Sequence, residues 1–273
     1  IMEKYPIQDQ LQPKIYRSKK TAKGNIFYFH GGALIFGTKE DLPQYHIDII
    51  TGEGYNIYSF DYPLAPETKL PEIVDIVIQL INIYAKKTEL PYFLWGRSAG
   101  AYLTLLAPLR GLDIKPKGII SYYGYGLLAL DWYKQPNKHY LQYQKIEKDM
   151  AESLIQDKKI YNYSVYPRFL LYLYVRQRGN WIDYIFDGSK EDLLNEYSLK
   201  NKNLKNYPPV FLAHSLGDRD VPFEESKKLS IALKNSILHS FNTEEHDFDK
   251  DINSKNTIEL LDKTIGFLDE NVT

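Results

Sequence analysis

The chain has 273 residues, 44% hydrophobic and 25% charged, enough for one large core or two modest ones. A formal net charge of -1 argues against nucleic acid or an anionic membrane as the main partner, and the lack of cysteine excludes disulfides and thiolate-bound metals. The first residues hold no apolar run of signal-peptide length, and no run of about 18 apolar residues occurs, so a soluble cytoplasmic protein without a spanning helix is expected.

Short β-branched or aromatic runs alternate with segments of helical period. "KIYR" (14–17) reads as an edge strand and "NIFYF" (25–29) as a buried one, followed by a helix over 41–51 that Gly52 and Gly54 stop. "YNIYSF" (55–60) is the next strand. Pro71 then opens a helix with Ile73, Ile76, Val77, Leu80, Ile81 and Tyr84 on one face. "YFLW" (92–95), a helix over 99–107 and "GIISYY" (118–123) continue the alternation. It stops over 125–205, a polar, aromatic and mostly helix-like stretch with breaks near Pro136, Pro167 and Gly179. It returns with "PVFLAH" (209–214), a helix over 223–234, "SILHSF" (236–241) and a last helix with Ile258, Leu261, Ile265 and Leu268 aligned.

Strands alternating with helices predict an α/β fold, a mostly parallel sheet with helices on both faces. The flanks of the irregular stretch both read as core strands. The expectation is therefore one domain over 1–273, with its core in 1–124 and 206–273 and a helical lid inserted at about 125–205. The insertion is rich in aromatics: 14 of the chain's 24 tyrosines fall within 122–207. Tyr123, Tyr125, Trp132, Tyr166, Phe169 and Trp181 are candidates to line an apolar substrate pocket; the competing reading makes them the insertion's own core.

Gly96-Arg97-Ser98-Ala99-Gly100 is a G-x-S-x-G motif. Alone it is weak, since a glycine-rich turn with a capping serine would look the same. Here it follows an apolar strand and opens a helix, the setting of a nucleophile elbow, which makes Ser98 the candidate nucleophile. "HGGALIFG" (30–37) also ends a strand. Acyl transfer creates an oxyanion that backbone N–H groups must reach without obstruction, so Gly31, Gly32 and Ala99 are the candidate donors. The nucleophile needs a base, and the base an orienting acid. His246 lies in the loop after the last strand and is favoured over His239, which sits inside that strand. Asp218 is favoured over Asp220, because D-x-x-V-P is a spacing associated with the acid loop of such sites and Asp220 suits the start of the next helix.

Together "HGGALIFG", "DYPLAPE" (61–67), "GRSAG" (96–100), "GDRDVP" (217–222), "EHDF" (245–248) and the approach "SLKNKNLKNYPPVFLAHS" resemble the α/β-hydrolase superfamily, and within it the hormone-sensitive-lipase-like esterases of the alpha/beta hydrolase fold-3 group. The motifs are spread over residues 26 to 250. The resemblance implies a serine hydrolase that cleaves short-acyl or small aromatic carboxylic esters through an acyl-enzyme, with Ser98, Asp218 and His246 as triad. It implies no cofactor and no metal. The expected partner is a small-molecule ester, with no nucleic acid and no stable membrane association; a homodimer stays open. A peptidase or amidase of the same fold, or a non-catalytic binding protein built on it, remains the alternative. Three positions depart from the family pattern: Ala33 for a third glycine, Pro63 for an arginine, and Arg97 for the aspartate before the nucleophile. For Arg97 two readings stand: a site for an anionic substrate group, or, the favoured one, a structural ion pair.

Overall fold

The structure, a computed structural model, describes residues 9–129 and 131–273. Seven strands form one sheet: β1 (Lys14–Tyr16), β2 (Gly24–Phe29), β3 (Tyr55–Phe60), β4 (Tyr92–Arg97), β5 (Ile119–Tyr122), β6 (Val210–Ser215) and β7 (Ser236–Phe241). Their order is β1-β3-β2-β4-β5-β6-β7; β1 runs antiparallel at the edge and the other six are parallel. Period-two alternation splits the central strands between two cores. Phe27, Phe29, Leu94, Ile119 and Leu212 face one side, and Ile26, Tyr28, Phe93, Trp95, Ile120 and Phe211 the other.

Helices α1 (Gln44–Gly52) and α9 (Lys255–Asn271) cover the second face, while α2 (Leu70–Lys86), α3 (Ala99–Leu106) and α8 (Glu224–Ala232) cover the first. The insertion carries α4 (Lys148–Glu152), α5 (Val165–Arg178), α6 (Trp181–Ile185) and α7 (Lys190–Glu196). It packs on the first core through Leu171, Val175, Trp181, Ile185 and Leu193. α-Helices occupy well under half of it, less than its composition suggests, because Pro, Gly and Asn break its short apolar runs. The last helix also differs from expectation. α9 buries Thr257, Leu260, Leu261, Thr264, Phe267 and Leu268, whereas Ile258 is exposed. Small buried threonines complete the face that an apolar count had placed one residue away. Among the described residues no helix is long and apolar enough to cross a membrane.

The chain leaves β2 towards β3 on one side and leaves β4 towards β5 on the other. Neighbouring strands whose connections diverge open a crevice at their C-terminal ends, where open α/β sheets bind ligands. The loop at 30–37 and Ser98 face each other across that crevice, since Phe29 and Gly96 are paired in the sheet. Close contact depends on glycine: a Cβ at Gly100 would lie 2.0 Å from the Phe29 carbonyl oxygen, and one at Gly96 2.2 Å from the Ala101 nitrogen. Gly100→Ala is therefore expected to lower the unfolding free energy by about 3 kcal/mol, the upper range for overpacking. Denaturant unfolding measures this, and an unchanged midpoint would show that α3 can back away from β2.

Candidate active site

Ser98 lies between β4 and α3 with φ 52° and ψ -117°, a backbone conformation that non-glycine residues reach only under constraint. Its N–H donates to the Tyr122 carbonyl at 2.9 Å, which ties the elbow to β5. His246 comes from the loop after β7. Its Nε2 lies 2.9 Å from Ser98 Oγ, and its Nδ1 donates to Asp218 Oδ2 at 2.6 Å. The structure thus brings Ser98, His246 and Asp218 into one hydrogen-bonded chain. His239 stays on β7, half-buried against the Phe211 ring.

Asp218 has no exposed side-chain surface, so its charge must be solvated by protein. Oδ1 accepts the N–H groups of Asp220 (2.8 Å) and Val221 (2.9 Å). Oδ2 also lies 3.1 Å from His214 Nε2, which donates to the Val221 carbonyl at 3.0 Å, while His214 Nδ1 meets Ser226 Oγ at 2.7 Å. Burial opposes its ionisation, but His246 and His214 outweigh it and hold the carboxyl well below its ordinary value. For His246 burial disfavours the cation; the charges of Asp218 and Asp220 prevail and push it up to about 9. Asp220 Oδ2 is 3.9 Å from His246 Nε2, and its other oxygen is taken by Tyr172 and Arg176 from the insertion.

Gly31 stands directly against the serine: a Cβ there would be 3.3 Å from Ser98 Cβ and 2.9 Å from the Arg97 carbonyl oxygen. The N–H groups of Gly31, Gly32 and Ala99 are donated to no acceptor among the described residues. They are free to receive an oxyanion formed beside Ser98 Oγ.

The Arg97 side chain is buried, only 6% exposed, and paired within the protein. Its Nη2 donates to Asp249 Oδ1 at 2.9 Å and its Nε to the Tyr123 hydroxyl at 2.7 Å, while Tyr123 donates to the same Asp249 oxygen at 2.8 Å. His46 Nε2 reaches the other Asp249 oxygen at 2.9 Å, in full burial. The structural reading of Arg97 holds: its charge is spent inside the protein. Tyr123 serves this network, and its ring lies 4.6 Å from that of His246. Sequence reasoning missed His46, Asp249, His214 and Ser226. Their only signal was burial, which a run such as "EEHDFDKD" does not reveal.

A cavity of about 550 Å³ opens in front of Ser98, bordered by Phe36, Tyr123, Tyr140, Tyr143, Phe169 and Tyr172 among others. Of the six insertion-side candidates, Tyr123 and Phe169 border it. Tyr166 does not; it is 68% exposed. Tyr125, Trp132 and Trp181 pack on one another with ring centroids 5.4 to 6.5 Å apart. They instead wall a narrow space of about 10 Å³ behind Ser98, together with Ala33, Tyr172 and Val221. The competing reading is therefore right for these three, in that they are largely packed core, with one edge turned to the serine. Among the described residues no group of three or more His, Asp or Glu side chains is placed to hold a metal.

A family model described as the alpha/beta hydrolase fold matches residues 26–169, more than half of the chain, which belongs to that family. A crystal structure of a protein of unknown function from Staphylococcus aureus is 35% identical, with a TM-score of 0.86 and 95% of this chain and 94% of that one covered. An alpha/beta hydrolase superfamily protein from Enterococcus faecalis is 31% identical, with a TM-score of 0.82 and 94% of each chain covered. A curated esterase of Acinetobacter venetianus is 28% identical over 109 residues, 38% of this chain; the match spans only 36% of that protein.

Because Arg97 is paired with Asp249 and Tyr123, Arg97→Ala is expected to cost about 3 kcal/mol of stability by leaving the buried Asp249 carboxylate without its guanidinium. Any rise in KM should be equal for a hemisuccinate ester and a neutral ester of the same size. Thermal unfolding and parallel kinetics check both, and a KM effect confined to the anionic ester would restore the recognition role.

Proposed function

We propose that the protein is a serine carboxylesterase acting through an acyl-enzyme. The observation that carries this reading is the hydrogen-bonded chain Ser98–His246–Asp218 set beside the unclaimed amides of Gly31, Gly32 and Ala99. The esterase among its relatives supports the same reading.

In this mechanism Ser98 Oγ attacks the ester carbonyl carbon while His246 Nε2 takes the hydroxyl proton. The carbonyl oxygen becomes an oxyanion held by the three amides. Asp218, already bonded to Nδ1, fixes the tautomer and stabilises the imidazolium. Collapse of the intermediate breaks the bond to the alcohol, which leaves with the proton from Nε2. Water, deprotonated by the same histidine, then attacks the acyl-enzyme, and Ser98 departs with the proton returned.

The two spaces around Ser98 differ in size, which supports a division of the substrate between them. The narrow space beside the serine admits about one small group, which supports a short acyl chain such as acetyl. The larger cavity, walled by aromatic and by charged side chains such as Asp220, Glu245 and Asp247, takes the alcohol, under the insertion acting as a lid. No cofactor is required.

Ser98→Ala and His246→Ala should each lower kcat by several orders of magnitude, and Ser98→Ala should abolish covalent labelling by a fluorophosphonate. Asp218→Asn should lose far more activity than Asp220→Asn. Wild-type protein that is folded yet neither labelled nor able to turn over p-nitrophenyl acetate would sink the reading. Faster turnover of aminoacyl anilides than of the acetate would move it to a peptidase.

The pH dependence follows from His246. Its raised pKa keeps the ring protonated, and unable to act as a base, until pH climbs through about 9. Activity on a neutral ester should therefore rise with pH along an alkaline limb. Asp220→Asn removes one of the charges favouring the cation, so that limb should move to lower pH; a pH profile of kcat/KM reads the shift directly. No movement would show that Asp220 is screened from the ring.

A further inference from the structure

The turn that carries the Gly31 and Gly32 amides is built from unfavourable backbone. Gly32 has φ 108°, and it is followed by Ala33 at 56° and Leu34 at 65°, two non-glycine residues in the left-handed region. There the Cβ crowds the following carbonyl, a penalty that glycine escapes. The turn must be held by its surroundings.

What holds it comes largely from the insertion. The Trp181 indole N–H, on α6, donates to the Ala33 carbonyl at 2.9 Å. The Arg168 Nε, on α5, donates to the Ile35 carbonyl at 3.0 Å. Tyr163 exchanges two backbone hydrogen bonds with Gly37, at 2.8 and 3.1 Å. The Leu34 carbonyl between them accepts from Ala65 N–H at 2.7 Å. Arg168 is itself fixed. It has no exposed side-chain surface, and its other donors go to Glu67 and to the Ala65 and Leu154 carbonyls. These bonds turn the Ala33, Ile35 and Gly37 carbonyls towards the insertion, while the Gly31 and Gly32 amides donate to no acceptor among the described residues.

We propose that Trp181 is a positioning residue for the oxyanion hole, and that the insertion holds the hole in its working shape as a fixed part of it. This rests on the esterase reading above. In this view the tryptophan offsets the side chain at Ala33: its N–H anchors a carbonyl whose residue would otherwise relax out of the left-handed region. Insertion and hole also open together, so displacement of α5 and α6 leaves Ser98 and His246 paired but the oxyanion unreceived.

Trp181→Phe keeps the ring packing and removes the N–H. For an acetyl ester, kcat is expected to fall about tenfold with KM within about twofold, the pattern of an interaction used only in the transition state. Ala33→Gly in the same background should restore kcat to within about threefold of wild type, since glycine needs no anchor at φ 56°. A pure packing role for Trp181 predicts no such rescue, because the added glycine fills no space. Unchanged kcat in Trp181→Phe, or no rescue by Ala33→Gly, overturns the proposal.

Hydrogen exchange on the wild-type protein gives a second test that does not depend on the variant folding. In rising denaturant the Ile35, Phe36 and Gly37 amides should lose protection together with residues 165–185 and before β2. Protection that outlasts the insertion and disappears with β2 overturns the coupling. The two readings fail separately: a wild-type protein without hydrolase activity ends the esterase reading, whereas an active one whose hole ignores Trp181 ends this one.

Discussion

A carboxylate taken out of water must be given a complete set of hydrogen bonds, or it protonates or stays exposed. The loops at the C-terminal edge of the sheet are arranged around this constraint. Asp218 is met by two backbone amides, His246 and His214. Asp249 is met by Arg97, Tyr123 and His46. Glu225, at the start of α8, accepts the N–H groups of Gly126, Leu128 and Ala129 and the Trp132 indole, pinning the root of the insertion. Glu67 receives the Arg168 guanidinium. Asp218 is one of several buried acids that tie otherwise irregular segments to one another, Asp61 among them through Lys39 and Asn162. The difference is that one ligand of Asp218 is a histidine with its other nitrogen on the serine.

This explains which parts of the site were legible in the sequence. Ser98, Gly31, Gly32, Asp218 and His246 announce themselves because each stands at a fixed offset from an apolar strand, and strand ends converge in a parallel sheet. Tyr123, Trp132 and Trp181 could be picked out as aromatic but not placed, since composition gives burial without direction. Asp249 and Glu225 carry no local signal, and Glu67, though it closes the "DYPLAPE" match, gives no sign of its partner. They look like the chain's many other acids, and only contacts spanning about a hundred residues give them work. Asp249 is 152 residues from Arg97, and Arg168 is 101 from Glu67. The same limit acts on α9, where the spacing of isoleucines suggested one face and two threonines helped to set another.

The departures from the family pattern now have physical counterparts. Arg97, where an aspartate is usual, brings a charge beside Ser98, and Asp249 with Tyr123 absorbs it. Pro63 removes a guanidinium from the "DYPLAPE" segment, and one arrives instead from the insertion, as Arg168 bonds both the Ala65 carbonyl and Glu67. Ala33 adds a side chain where the turn favours glycine, and an indole N–H anchors its carbonyl. In each case the change sits on the core and its counterpart lies on an element distant in sequence.

Such pairing constrains how the insertion can work. A lid that swings freely exposes only apolar surface when it opens. Here opening would also strip Glu67 of its arginine, Asp220 of Arg176 and Tyr172, and the turn beside Ser98 of two of its carbonyl anchors. Leaving buried charges unpaired costs several kcal/mol each, a large part of the stability of a typical domain. Substrate access through the cavity that already opens between the insertion and the 244–247 loop avoids that cost. The geometry therefore favours entry past the insertion's edge, with α5 and α6 staying in place through the reaction.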